Sequence, residues 1–193
     1  MELDDLVDHL LRVLTDPTGR VSASLFRADR SEAAQPGLYS WWADATARDL
    51  IARVLDAPMP ELVYAGQAGA TLWPSGTPSK ATLASRIRGN HLNGNADSST
   101  FRLTISAILL RSLGLEVAEP GRLAADSNRT VSQWIRQHLQ VAIAPHPNRD
   151  TLTDVEAVIL RHLDPPLNID GRPTTPARQR LTHLRSLVTR PDK

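Results

Sequence analysis

A small set of side chains in this sequence has the types and spacing to do chemistry. Glu156 sits in TLTDVEAVILRHL, four residues from both Leu152 and Leu160, which form an apolar helical stripe with Val155, Ile159 and Leu163. A carboxylate on or beside a buried face must be paired or hold a cation. Glu156 is thus either an edge residue reaching water or an arginine, or a metal ligand or general base. Twelve residues on, two prolines fix the backbone leading into Asn168, which by itself reads as a turn residue. Arg86 and Arg88 flank Ile87 near the end of a helical stretch, with His91 just beyond. Arginines there could serve the helix dipole and nothing more. Tyr39 and Tyr64 are the only tyrosines, each in a strand-like run beside glycine or a small residue. Either alone reads as a core aromatic.

Other chemistries are closed. The chain has no cysteine, which excludes disulfides, a thiolate nucleophile and cysteine-ligated metal. Gly66, Gly69 and Gly76 are not followed by Gly-Lys-Ser/Thr, the histidines lack His-Glu-x-x-His spacing, and no serine sits in a nucleophile elbow.

The elements that must position these groups can be read from periodicity. A helix is expected over residues 2–15, with Leu3, Leu6, Val7, Leu10, Leu11 and Leu14 as its stripe and acids in its first turn. Strands are expected at 37–42 (GLYSWW), 61–66 (ELVYAG) and in HLQVAIAP, with a helix at 47–55 between the first two. ATLASRIRGN reads as a helix stopped at Gly89-Asn90, and a longer helix follows, capped at Ser98 or Ser99. Thr130 and Gln133 suggest a capping box for a short helix at 131–138, and helices follow at 151–163 and 176–188. About three strands and five or six helices make an α+β chain with a small sheet covered by helices. At 193 residues it fits one domain with terminal extensions.

Taken together, the chemical residues resemble the GIY-YIG nuclease family. Gly37-Leu38-Tyr39 and Tyr64-Ala65-Gly66 look like the two strands that name it, with Leu and Ala in place of Ile. An arginine, a histidine, a glutamate on a later helix and an asparagine after that helix follow in the family's order as Arg86, His91, Glu156 and Asn168. The resemblance covers roughly residues 37–170. It implies a mainly antiparallel three-stranded central sheet flanked by helices, in a nuclease domain over 31–170. An N-terminal helical extension (1–30) and a basic C-terminal helical segment (171–193) would be added. Three features depart from the pattern: a helical segment between Tyr39 and Tyr64, a long loop from Gly66 to Arg86, and a five-residue spacing from Arg86 to His91. Arg88, three residues before His91, is a rival for the catalytic role; Leu83 and Ile87 favour Arg86.

The resemblance also implies roles. Glu156 would hold one Mg²⁺ or Mn²⁺, a hard ion suited to a carboxylate. Tyr39 would orient or deprotonate the attacking water, although a phenol with pKa of about 10 needs help to act as a base. Arg86 would brace the phosphate oxygens, and His91 would relay a proton or hydrogen-bond the tyrosine. Tyr64 would bond the water or phosphate, and Asn168 would hold the local geometry.

The net charge of +1 conceals an acidic start, five acids against Arg12 in residues 1–16, and basic stretches at 80–111 and 172–193. These stretches suit a nucleic-acid partner, most simply DNA, with Arg88, Arg102, Arg111, Arg178, Arg180 and Arg185 as candidate backbone contacts. No apolar run approaches the ~18 residues of a membrane span, so no membrane partner and a cytoplasmic setting are expected. The leading expectation is a metal-dependent DNA endonuclease. The alternatives are a catalytically inactive nucleic-acid-binding module of the same fold, or a protein-interaction domain.

Overall fold

The computed structural model describes residues 3–72 and 74–190. Residue 2, the expected first residue of the N-terminal helix, the side chain of Leu3, and Asp192 and Lys193 of the basic segment lie outside the described residues.

The sheet is organised around β2 (Gly37–Ala43), every residue of which is buried. It pairs antiparallel with β3 (Leu62–Ala68) on one side and β6 (Leu139–Pro145) on the other. A two-residue strand absent from the sequence reading, β1 (Val21–Ser22), extends β6, so the order is β1-β6-β2-β3 and β3 is an edge. Gly37 is required where β2 meets β6, because a Cβ there would stand 2.4 Å from the Ala144 carbonyl oxygen. Between β2 and β3 runs α2 (Ala45–Leu55), opened by Asp44, whose carboxylate accepts from the Ala47 N–H. The pair is therefore an antiparallel ladder whose connection is a helix.

Period-2 alternation along β2 sorts its side chains between two cores. Tyr39, Trp41 and Ala43 enter the larger one, with Phe101, Ile105 and Ile108 of α3 (Thr100–Ser112), Val131 and Ile135 of α4 (Ala125–His138), and Leu181 and Val188 of α6 (Pro176–Thr189). Leu38 enters the smaller core, with Val7, Leu10 and Leu14 of α1 (Leu3–Thr15) and Leu152, Val155 and Ile159 of α5 (Leu152–Leu163). Helices thus cover both faces of a small antiparallel sheet. Among the described residues no helix is long and apolar enough to cross a membrane.

Several local expectations are corrected. A second small sheet, β4 (Val117–Glu119) with β5 (Arg122–Leu123), joins α3 to α4. The helix α4 begins at Ala125 with no side-chain cap, and Thr130 lies inside it, donating its hydroxyl proton back to the Asp126 carbonyl. Thr130-Gln133 is therefore no capping box. Of the two caps expected for α3, Ser99 is the one used, accepting from the Arg102 N–H. Most consequential, the helical segment after the long loop does not stop at Gly89-Asn90. It runs through them as a π-helix, Ser85–Leu92, with the Asn93 N–H bonded to the Arg88 carbonyl five residues back.

Candidate active site

Tyr39 and Gly66 are directly opposed on β2 and β3. A Cβ at position 66 would lie 2.7 Å from the Tyr39 hydroxyl, so only glycine leaves that hydroxyl its room. The hydroxyl hydrogen-bonds His91 Nε2 at 3.3 Å, and the two rings meet edge to face. His91 is wholly buried and packs against Phe101 and Trp41, which stack on each other. Burial, reinforced by the charges of Arg86 and Arg102, pushes the imidazole well below its usual range, so it is neutral at neutral pH. The same burial, with the neighbouring Tyr64 adding to it, holds Tyr39 well above the ordinary phenol value, and Arg86 pulls the other way. Tyr64 is likewise raised by burial.

The π-helix resolves the spacing from Arg86 to His91. Five residues are about 1.4 turns of an α-helix and would point the two side chains apart. With i to i+5 bonding they return to nearly one face. Arg88 is turned outward and exposed. The long loop leading into this segment is drawn in at its base by Arg149, whose guanidinium donates to the carbonyls of Gly69 (2.7 Å) and Ala81 (3.0 Å).

Glu156 comes from α5 toward the free edge of β3. It lines a pocket of about 230 Å³ with Thr153, Arg161, Asp170 and Arg172, and makes no ion pair among the described residues. Burial raises its pKa from 4.5 to about 7, against the opposing pull of Arg86 and of the Gln67 backbone amide. Thr153 also lines an adjoining pocket of about 300 Å³ with Gln67, Thr71, Ser79 and Arg86. Arg86 is the cation whose charge reaches Tyr39, Tyr64, His91 and Glu156 alike, and its buried Nε has no partner among the described residues.

Asn168 acts on β3 from outside the sheet. The Ala65 N–H donates to Asn168 Oδ1 (3.0 Å), and Asn168 Nδ2 donates to the Ala65 carbonyl (2.8 Å). The side chain thus imitates a neighbouring strand between Tyr64 and Gly66. Its backbone is held in turn by Arg178 Nε, which donates to the Asn168 carbonyl at 2.8 Å.

Tyr39, Tyr64, Arg86, His91, Glu156 and Asn168 therefore converge on one end of the β2–β3 ladder. The expected backbone contacts divide. Arg102 is fully buried and donates to the carbonyls of His91 (2.8 Å), Leu92 and Asn128 and to the Ser132 hydroxyl. Arg178 is buried too, bonded to the carbonyls of Pro165, Asn168 and Pro173 and to the Asp164 carboxylate. Neither can meet a phosphate backbone, and those two expectations are corrected. Arg185 is half-buried and donates to the Thr104 hydroxyl. Arg88, Arg111 and Arg180 are exposed.

Sequence reasoning missed two contributors. Arg102, reaching the carbonyls that end the π-helix, anchors the backbone of His91, and nothing in the sequence distinguishes it from a surface arginine. Phe101, which stacks on His91, carries only a core signal.

The residues fit a divalent cation in one specific way. Among the described residues no group of three His, Asp or Glu lies close enough to hold a metal, so Glu156 would hold it with few protein ligands beside it; Asp170 lines the same pocket. A half-buried carboxylate with no cationic partner, lining an open pocket, suits a hard ion that takes its remaining oxygens from water and phosphate.

The family model described as GIY-YIG catalytic domain matches residues 37–187, a segment that includes β2, β3, the π-helix and all of α5. Neither the curated proteins nor the solved structures gave a match.

Proposed function

This chain belongs to the GIY-YIG family, and we propose that it is a metal-dependent endonuclease that hydrolyses phosphodiester bonds in DNA. The observation that carries the reading is Arg86: one incompletely bonded guanidinium at the meeting point of two tyrosines, a neutral histidine and an unpaired carboxylate.

Hydrolysis needs an oriented water, and neutralisation of the charge that gathers on the phosphate as the new bond forms. Arg86 braces the non-bridging oxygens with donors that the protein leaves free. Burial makes a standing phenolate costly at Tyr39, so Tyr39 orients the water as a neutral hydroxyl. It takes the water's proton only as its own passes to His91 Nε2. The water oxygen joins phosphorus as the bond to the leaving oxygen breaks; solvent protonates that oxygen, and His91 returns its proton through Tyr39 to solvent as the product leaves. Tyr64 supplies a second hydroxyl at the phosphate, and Asn168 keeps β3 in register beneath both. Glu156 would hold Mg²⁺ or Mn²⁺, which when bound offsets charge on the phosphate and the leaving oxygen.

The test is a cleavage panel of single-stranded, duplex and branched DNA with Mg²⁺ or Mn²⁺. Metal-dependent nicking that is lost in both Glu156→Ala and Tyr39→Phe is expected. Wild-type cleavage by both variants, or no cleavage of any substrate, overturns the proposal. Salt-sensitive DNA binding without cutting would make the chain a binding module of the same fold.

A further inference from the structure

We propose that a groove on the outer side of the π-helix, opposite Arg86, binds the phosphodiester backbone of the nucleic acid flanking the cleaved bond; this inference rests on the nuclease reading above. The groove, of about 520 Å³, is lined by Arg27, Asp29, Arg88, Asn93 and Arg136, with Phe26 and Leu92 among its apolar residues. It is formed where the segment 23–29 and α4 close against Ser85–Leu92.

Its chemistry points to a polyanion. Three guanidiniums face one carboxylate, leaving two positive charges in excess. Asp29 is paired with Arg27 at 2.7 Å on the protein surface, and both are exposed. Arg136 is held in place by its own bonds, donating to the Ser132 carbonyl at 3.0 Å and to Asn93 Oδ1. Arg88 is exposed, and its side chain makes no hydrogen bond or ion pair among the described residues; the charge it faces is Asp29. Arginine rather than lysine at all three positions favours phosphate, whose oxygens match the planar fork.

The π-register ties this groove to the active site. It turns Arg86 inward to Tyr39 and Glu156 while Arg88, two residues on, faces out. Because Arg86 and Arg88 are two residues apart on one short helix, a strand whose scissile phosphate lies on Arg86 would bring flanking phosphates to Arg88 by passing round that helix. An isolated phosphate would need one of these arginines; a track of them suits a chain of phosphates.

The test measures binding of labelled duplex DNA, single-stranded DNA and RNA by fluorescence anisotropy, in EDTA so that nothing is cut, across a salt series. Arg27→Ala and Arg88→Ala are compared with the wild type and with Arg53→Ala, an exposed arginine on α2. Each groove variant should weaken binding about fivefold to tenfold and flatten the dependence of log K on log salt by about one contact, with Arg53→Ala unchanged. The three probes tell which nucleic acid the groove takes. Wild-type affinity and salt slope in both groove variants overturn the groove while leaving the nuclease standing. Groove-dependent binding without metal-dependent cutting supports the groove and overturns the nuclease. Binding of polyglutamate that is lost in the groove variants, with no affinity for any nucleic acid, overturns both in favour of an acidic peptide.

Discussion

Two clusters of polar groups meet at β3 and are built on opposite terms. In the turn after α5, Asp164 accepts from both Arg172 and Arg178, and Arg178 spends its remaining donors on the Pro165, Asn168 and Pro173 carbonyls. Burial pushes the Asp164 carboxyl up, yet those arginine bonds hold it below its ordinary value. On the other side, buried Arg86 Nε and His91 Nδ1 have no partner among the described residues, and Glu156 is pushed toward its neutral form. A folded chain satisfies nearly all its buried polar groups. On the proposed reading, the cluster that does so is scaffold, and the one that does not keeps hydrogen-bonding capacity for the substrate.

The largest effect should separate the two clusters outright. Arg86→Ala is expected to lower turnover by about 10²–10³-fold, as loss of a charge-stabilising donor does, with an unfolding free energy within about 0.5 kcal/mol of wild type. Arg178→Met should do the reverse. It strands several buried acceptors and should cost about 3 kcal/mol in urea unfolding while the folded fraction still turns over. If Arg86→Ala unfolds the protein, or Arg178→Met loses turnover while fully folded, the distinction between scaffold and site fails.

The next effect is in the pH dependence of stability. The folded state binds the Glu156 proton more tightly than the unfolded chain does, with a pKa of about 7 against 4.5. Its contribution is therefore most favourable below 4.5, declines as pH rises to 7, and is a constant penalty above, at most about 3 kcal/mol. Glu156→Gln should melt higher than wild type at pH 8 and lose this part of the pH slope. Mg²⁺ should raise the melting temperature of the wild type at pH 8 and not that of Glu156→Gln. Identical slopes and identical metal responses would show that Glu156 is not the strained group.

The sequence revealed these clusters unequally. Glu156 stood out because helix period alone fixes which face a residue takes, whereas Tyr39, Tyr64 and Asn168 read singly as core aromatics and a turn residue, and only their joint order in the GIY-YIG resemblance marked them. The relation of Arg86 to His91 was not legible, since the π-helix is set by tertiary contacts, among them the Arg102 bonds to the His91 and Leu92 carbonyls. A 3.6-residue period makes that pair look misplaced. Arg102 and Arg178 were misread for a related reason. Their partners are backbone carbonyls brought together by folding, which leave no pattern in residue type. The bare start of α4 at Ala125 likewise carries no side-chain signal, while Thr130 offered a false one.

The smallest effect falls where the two clusters join. Asn168→Ala removes both bonds to Ala65 and leaves a buried N–H and C=O on an edge strand without partners. The cost should be about 1–2 kcal/mol, because the Leu167 N–H still donates to the Val63 carbonyl and the β2 ladder on the other side is untouched. Unlike Arg86→Ala or Arg178→Met, it should act on both properties at once. The loosened stretch lies between Tyr64 and Gly66, and Gly66 sets the room for the Tyr39 hydroxyl, so turnover should fall about tenfold alongside the stability. Hydrogen exchange of the Ala65 amide reports the cause directly and should accelerate in Asn168→Ala well beyond the change in global stability. Unchanged exchange at Ala65, or a stability loss with full turnover, would assign Asn168 to the scaffold alone and move the boundary between the clusters from Asn168 to β3 itself.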